Sequence, residues 1–261
     1  MSLRVVRLNE FLTPLGVEEQ GLPPFVHSTP SARIIDILND SKILATQCNV
    51  FREKLCYLFV GRPAYKWTFN AQASAWQLPF VVMIKDIGIS PLKRIYPFDT
   101  GAFSARILPD YITMFERERF NVGTNLSDIE KIISTFFTNS KNYMSAKAKS
   151  EDKIAEDYSL GVKHQEISAL SRLFNDRSNS AVDDRGRTIE LQIAEDLIIS
   201  KKNVIGMILP RQYANDIDIK EAIEHLGCEV ETYSEFPLSV NSYYGIIYQH
   251  ISSIMRRVEL K

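Results

Sequence analysis

Cysteine is scarce in this chain, three residues in 261, and Cys48, Cys56 and Cys228 are too far apart to form a CxxC pair. That excludes a disulfide framework and a zinc knuckle, and points to a reducing, cytoplasmic compartment. Histidine is scarcer for its usual work. His27, His164, His225 and His250 are scattered, neither HExxH nor a Cys/His cluster exists, and no metal is expected. Charge of one sign is missing as well, since 31 Lys+Arg face 32 Asp+Glu for a formal net charge of -1. That removes the simplest argument for a histone-like polyanion binder and leaves room for a local basic patch. No apolar run approaches the ~20 residues of a membrane span, and the first residues lack the apolar core of a signal peptide. A soluble, cytoplasmic protein with no membrane partner is the expectation.

What is present is an ordinary globular composition, 45% hydrophobic, with enough length for a substantial core. FVHST reads as a short apolar strand ending at His27. SARIIDILNDSKI reads as a helix with Ser31 as N-cap and Ile34, Ile35, Ile37 and Leu38 on one face. KLCYLFVG and LPFVVMIKDI are continuous apolar runs, the pattern of buried strands. The character then turns helical. Ser127 with Glu130 three residues on has the form of a capping box opening SDIEKIISTFFT, and HQEISALSRLFN repeats the helical spacing. Between them NSKNYMSAKAKSEDK reads as an exposed loop or solvated helix. TIELQIA, NVIGMILP and CEVETYSE restore strands, IKEAIEHL is a helix between the last two, and SYYGIIYQHISSIMRRV is a closing helix. The order of strands, helices and strands predicts one α+β domain over residues 1–261, with a helical insertion at about 108–176.

Three islands carry chemistry: His27 in FVHSTPSAR, the aromatics of YLFVGRPAYKW, and Glu190 in DDRGRTIELQIA. In order and spacing they resemble the His-Tyr-Glu ADP-ribosyltransferases, and among these the bacterial phage-defence and toxin–antitoxin enzymes of the DarT-like and CmdT-like kind. The resemblance covers residues from about Phe25 to Tyr233. It implies a split, mixed or antiparallel sheet that holds NAD as substrate. It also implies mono-ADP-ribosyl transfer to a macromolecular acceptor, RNA or DNA first, and a neutralising antitoxin protein as a partner to test for. Alternatives are transfer to protein, or a non-catalytic NAD or nucleic-acid binding module of the same fold.

The resemblance places His27 on the adenosine ribose and Ser28, where many members have glycine, at the nicotinamide amide. Thr29 adds a hydroxyl to the same mouth. Tyr57 and Tyr65 compete for the stack on nicotinamide, with Tyr65 favoured because it follows a Gly-Arg-Pro turn and loops carry function. Arg33 and Arg62 are candidate partners of the diphosphate, since a guanidinium grips two oxygens. Cleaving an N-glycosidic bond builds positive charge on the ribose, and a fixed carboxylate, Glu190, stabilises that charge. His27, Tyr65 and Glu190 are thus the expected catalytic set. Against Glu190 stands its strand pattern, because TIELQI alternates and would turn the glutamate to solvent.

Two further motifs need weighing. PFDTGAF contains the Asp-Thr-Gly of aspartic proteases, but that chemistry needs two carboxylates sharing a proton and the sequence has one copy. Asp99 is therefore expected to organise its own loop. Lys141, Lys147, Lys149 and Lys153 form a local basic stretch that suits a phosphate backbone or a plain solvated face. Thr188 stands where many arginine-modifying transferases carry Gln or Glu, which argues against arginine as the acceptor.

Overall fold

The computed structural model describes residues 4–16, 21–64, 73–88, 90–178 and 184–259. Among them are ten strands: β1 (Phe25–Pro30), β2 (Lys42–Ile43), β3 (Thr46–Cys48), β4 (Glu53–Val60), β5 (Pro79–Ile84), β6 (Leu92–Tyr96), β7 (Glu190–Ile193), β8 (Leu197–Ile198), β9 (Val204–Pro210) and β10 (Glu229–Tyr233). The helices are α1 (Leu8–Leu12), α2 (Ile34–Asp40), α3 (Thr100–Ser104), α4 (Asp110–Thr113), α5 (Ser127–Phe137), α6 (Ser140–Met144), α7 (Glu151–Asp157), α8 (Gln165–Asn175), α9 (Arg211–Ala214), α10 (Ile217–Leu226) and α11 (Tyr244–Glu259). The class is α+β with a mostly antiparallel open sheet. The chain divides into two compact units, each assembled from two stretches of sequence: Met1–Pro23 with Leu92–Gln192, and Pro24–Pro91 with Ile193–Lys261.

The first unit is largely helical. Its apolar periodicity works as read from sequence: Ile129, Ile132, Ile133, Phe136 and Phe137 of α5 are buried, as are Ile167, Leu170, Leu173 and Phe174 of α8. The two helices meet through Phe174, whose ring centroid lies 5.2 Å from Phe136 and 4.8 Å from Phe137. Capping departs from expectation. Ser127 is the first residue of α5 rather than its cap, Leu126 holds the cap position without a side-chain bond, and Asn125 Oδ1 accepts from the Ser127 amide at 3.0 Å. The Asx turn has taken the capping work one step earlier in the chain. The lysine-rich stretch forms two short helices, α6 and α7, each capped by a polar side chain: Asn139 for α6 and Ser150 for α7.

The second unit holds the strand order β10-β9-β5-β1-β4, with β3 paired to β4 and a separate two-stranded ladder of β2 and β8. β10 runs parallel to β9, as the intervening α10 requires. All six residues of β5 are buried, which explains its unbroken apolar run. In α2 the inward residues are Ile34 and Ile37, while Ile35 is 54% exposed. Positions 34 and 37 share a face at helical spacing, and position 35 lies about 100° round from 34. Ser31 does not cap this helix. It opens a short 3-10 turn (Ser31–Arg33), and its hydroxyl donates to the Leu78 carbonyl at 2.9 Å.

α11 packs on β9 at a point where only glycine fits. A Cβ added to Gly206 would stand 2.7 Å from Ile254 Cγ2 and 2.9 Å from its Cδ1. Ile254 is fully buried and has no room to retreat. Gly206→Ala is expected to lower stability by about 1–3 kcal/mol through overpacking. In an Ile254→Ala background the same methyl group should cost nothing, so urea unfolding of the two single variants and the double variant isolates this contact.

Candidate functional site

β1 is the strand on which the site is built. Its register with β5 runs its whole length, from Phe25↔Ile84 to Pro30↔Pro79, whereas its register with β4 covers Phe25↔Val60 and Val26↔Phe59. The strand expected to end at His27 therefore continues to Pro30, because β5 carries it onward. Beyond Val26 the gap between β1 and β4 is bridged by a side chain, with His27 Nδ1 2.9 Å from the Tyr57 carbonyl oxygen. A carbonyl only accepts, so Nδ1 carries the proton and donates.

A cavity of about 450 Å³ opens at this divergence. His27, Ser28 and Thr29 line it from β1, Arg33 from the turn that follows, and Tyr57 and Phe59 from β4. Five of the seven NAD-ligand candidates thus share one cavity. Arg62 is not among the lining residues. It is 2% exposed and donates from Nη1 to the Tyr248 hydroxyl of α11 at 3.4 Å. Tyr65 lies outside the described residues, as does Trp67.

The details of the wall define its chemistry. Ser28 Oγ is buried and has no hydrogen-bond partner among the described residues, a state that a polar ligand atom or a water would relieve. Tyr57 is half-buried; its hydroxyl donates to Cys48 Sγ at 2.8 Å, which holds its ring. Burial, helped by the nearby Asp196 carboxylate, pushes the Cys56 thiol up to about 12, so this lining cysteine carries no thiolate at neutral pH. Sequence reasoning missed Asp36 and Lys42, which also line the cavity. Neither lies in a motif. Lys42 is placed by the β2–β8 ladder, a pairing between segments far apart in the chain.

Glu190 belongs to the first unit, and there the alternation argument fails. The polar residues of the alternating TIELQI segment, Thr188, Glu190 and Gln192, are each 0% exposed. Oε1 of Glu190 accepts from the Thr100 hydroxyl at 2.6 Å and from Gln192 Nε2 at 2.8 Å, and Oε2 accepts from the Thr100 amide at 3.0 Å. Arg94 Nη1 donates to Gln192 Oε1 at 3.0 Å, which turns the amide so that its NH₂ faces the glutamate. Each of these three contacts is a donor aimed at the carboxylate, the arrangement that offsets burial of an anion.

Thr100 reaches Glu190 because Asp99 starts α3. Asp99 is the N-cap, with Oδ1 accepting from the Ala102 amide at 2.8 Å, so the Asp-Thr-Gly motif organises its loop. In the lysine stretch, Lys153 pairs with Asp157 at 2.7 Å and Lys149 lies over the Tyr158 ring at 6.0 Å, while Lys141 and Lys147 are exposed. Among the described residues no group of three or more His, Cys, Asp or Glu could hold a metal ion, and no helix is long and apolar enough to cross a membrane. Comparison with protein-family models, with curated proteins and with solved structures finds no match for this chain.

Proposed function

We propose that the chain binds NAD in the cavity beside β1 and transfers its ADP-ribose to a macromolecular acceptor, with RNA or DNA as the acceptor to test first. One observation carries the reading. The sequence points to His27, Ser28, Thr29, Arg33 and Tyr57 as NAD ligands, and they come together on one cavity from a strand, a turn and a second strand. Its volume, about 450 Å³, falls within the range of small-molecule sites. The groups on it match the parts of the ligand: an imidazole and two hydroxyls for ribose and amide, a flat aromatic face for nicotinamide, and a guanidinium for diphosphate.

In the reaction the bond between the ribose carbon and the nicotinamide nitrogen breaks, nicotinamide leaves as a neutral ring, and an acceptor nitrogen or oxygen takes the ribose carbon while losing a proton. The reading assigns stabilisation of the ribose cation to the Glu190 carboxylate. A second reading is favoured by the enclosure of Glu190, whose two oxygens are held by Thr100 and Gln192. On that reading the glutamate is structural and the chain is an NAD-binding module without transfer. Incubation of the purified chain with NAD labelled in the adenylate, in the presence of RNA, DNA and protein, separates the two. Label in nucleic acid supports the proposal, label in protein changes the acceptor class, and NAD binding with no label anywhere favours the module.

A further inference from the structure

Two cations line the cavity, and each already faces a carboxylate. Arg33 Nη1 stands 3.5 Å from Asp36 Oδ2, and Lys42 Nζ stands 3.1 Å from Asp196 Oδ2. Asp196 serves two segments at once, because its Oδ1 also accepts from the Ala45 amide at 2.9 Å. The Ala45 amide first, and then Lys42, hold its carboxyl below the usual carboxylate range against the opposing effect of burial. Its pairing with Lys42 is therefore ionic at neutral pH. Lys42 is a lining residue of the cavity and Asp196 is not. An ammonium has three N–H donors, and one contact to Asp196 leaves two.

We infer that Lys42, together with Arg33, takes the diphosphate of a dinucleotide in this cavity, and that Asp196 is a competing carboxylate which tempers the affinity. The inference rests on the NAD reading above. Charge supports it. Arg33 and Lys42 are balanced by Asp36 and Asp196, so these four groups carry no net charge together, and a diphosphate shares each cation with its carboxylate until it draws the cation away. The Lys42–Asp196 pair is about one-third exposed on each side, at 33% and 37%. Pairs so exposed to solvent are weak, whereas an ammonium on a phosphate oxygen in a cavity forms a stronger charge-assisted bond, so the exchange runs toward the ligand. Asp196 stays tied to Ala45 while Lys42 turns.

The test is calorimetric titration of the full chain and of Lys42→Ala, Lys42→Arg and Asp196→Asn with NAD, ADP-ribose, inorganic pyrophosphate and nicotinamide riboside, the last lacking a diphosphate. Lys42→Ala should weaken NAD and ADP-ribose about tenfold and leave nicotinamide riboside unchanged. Lys42→Arg should retain most of the affinity. Asp196→Asn should tighten ADP-ribose by about two- to fivefold, since the side-chain amide oxygen still accepts from Ala45 while the competing charge is gone. Circular dichroism and melting of each variant verify folding. Full affinity for ADP-ribose in a folded Lys42→Ala protein overturns the assignment of Lys42 and leaves the NAD reading standing. Weaker binding by Asp196→Asn overturns the competition. Lys42-dependent binding of ADP-ribose and pyrophosphate without binding of NAD overturns the NAD reading and keeps the anion site. Binding of none of the four by the parent protein overturns both.

Discussion

Glu190→Gln is expected to lower the rate of ADP-ribosyl transfer by roughly 10²- to 10³-fold, the effect of about 2.7–4 kcal/mol of lost transition-state stabilisation. The amide keeps the shape of the side chain and removes the charge that opposes the developing ribose cation. NAD affinity should be retained, because the residues proposed to hold NAD lie on β1, β2, β4 and the Ser31–Arg33 turn. The substitution should also cost stability, and the reason is specific. Glu190 accepts from the Thr100 hydroxyl, the Thr100 amide and the Gln192 NH₂. A glutamine must set its own NH₂ against one of these donors, and Gln192 cannot turn to receive it because Arg94 holds its carbonyl oxygen. A buried donor left against a donor costs about 1–3 kcal/mol. Rate, NAD affinity and urea midpoint should therefore be measured on one preparation. Loss of stability with undiminished turnover would make Glu190 a structural carboxylate, and an unchanged midpoint would contradict the hydrogen-bond arrangement around it.

His27→Ala and Tyr57→Ala are each expected to weaken NAD binding about tenfold, near 1.4 kcal/mol, for different physical reasons. Alanine at position 27 removes the hydrogen bonding of the imidazole toward ligand and also withdraws its donor from the Tyr57 carbonyl, so it should cost stability as well. Alanine at position 57 removes a flat face from the cavity wall, a loss of about 0.5–1.5 kcal/mol of ring contact beyond the area itself. Tyr57→Phe separates ring from hydroxyl. It keeps the face and gives up the bond to Cys48 Sγ, so affinity should stay near that of the parent and stability should fall slightly. Titration with NAD alongside melting curves checks the set. Binding by folded His27→Ala at parental affinity would remove NAD from this cavity, and a Tyr57→Phe variant as weak as Tyr57→Ala would shift the interaction from the ring to the hydroxyl.

Sequence by itself determined what depends on local pattern. The continuous apolar runs of β4, β5 and β9 are strands because burial on both faces removes the alternation, and α5 and α8 follow the helical spacing of their isoleucines and phenylalanines. That Asp99 organises its own loop was legible too, since aspartate bonds backbone amides in turns, while the short helix α3 that it caps was not. Tertiary structure decided whatever depends on partners distant in the chain. Ser31 has the right residue type for a cap, yet its hydroxyl goes to the carbonyl of Leu78, an acceptor that the fold brings from a distant segment. β1 runs past His27 only because β5 pairs with it there. Alternation in TIELQI correctly separated a polar from an apolar face, but it carries no information about whether the polar face meets water. Thr100 stands ninety residues before Glu190, and its arrival beside the carboxylate turned a solvent-facing pattern into a buried anion site. Lys42 entered the cavity by the same route: its pairing with Ile198 is a long-range contact, and no spacing within either segment encodes it.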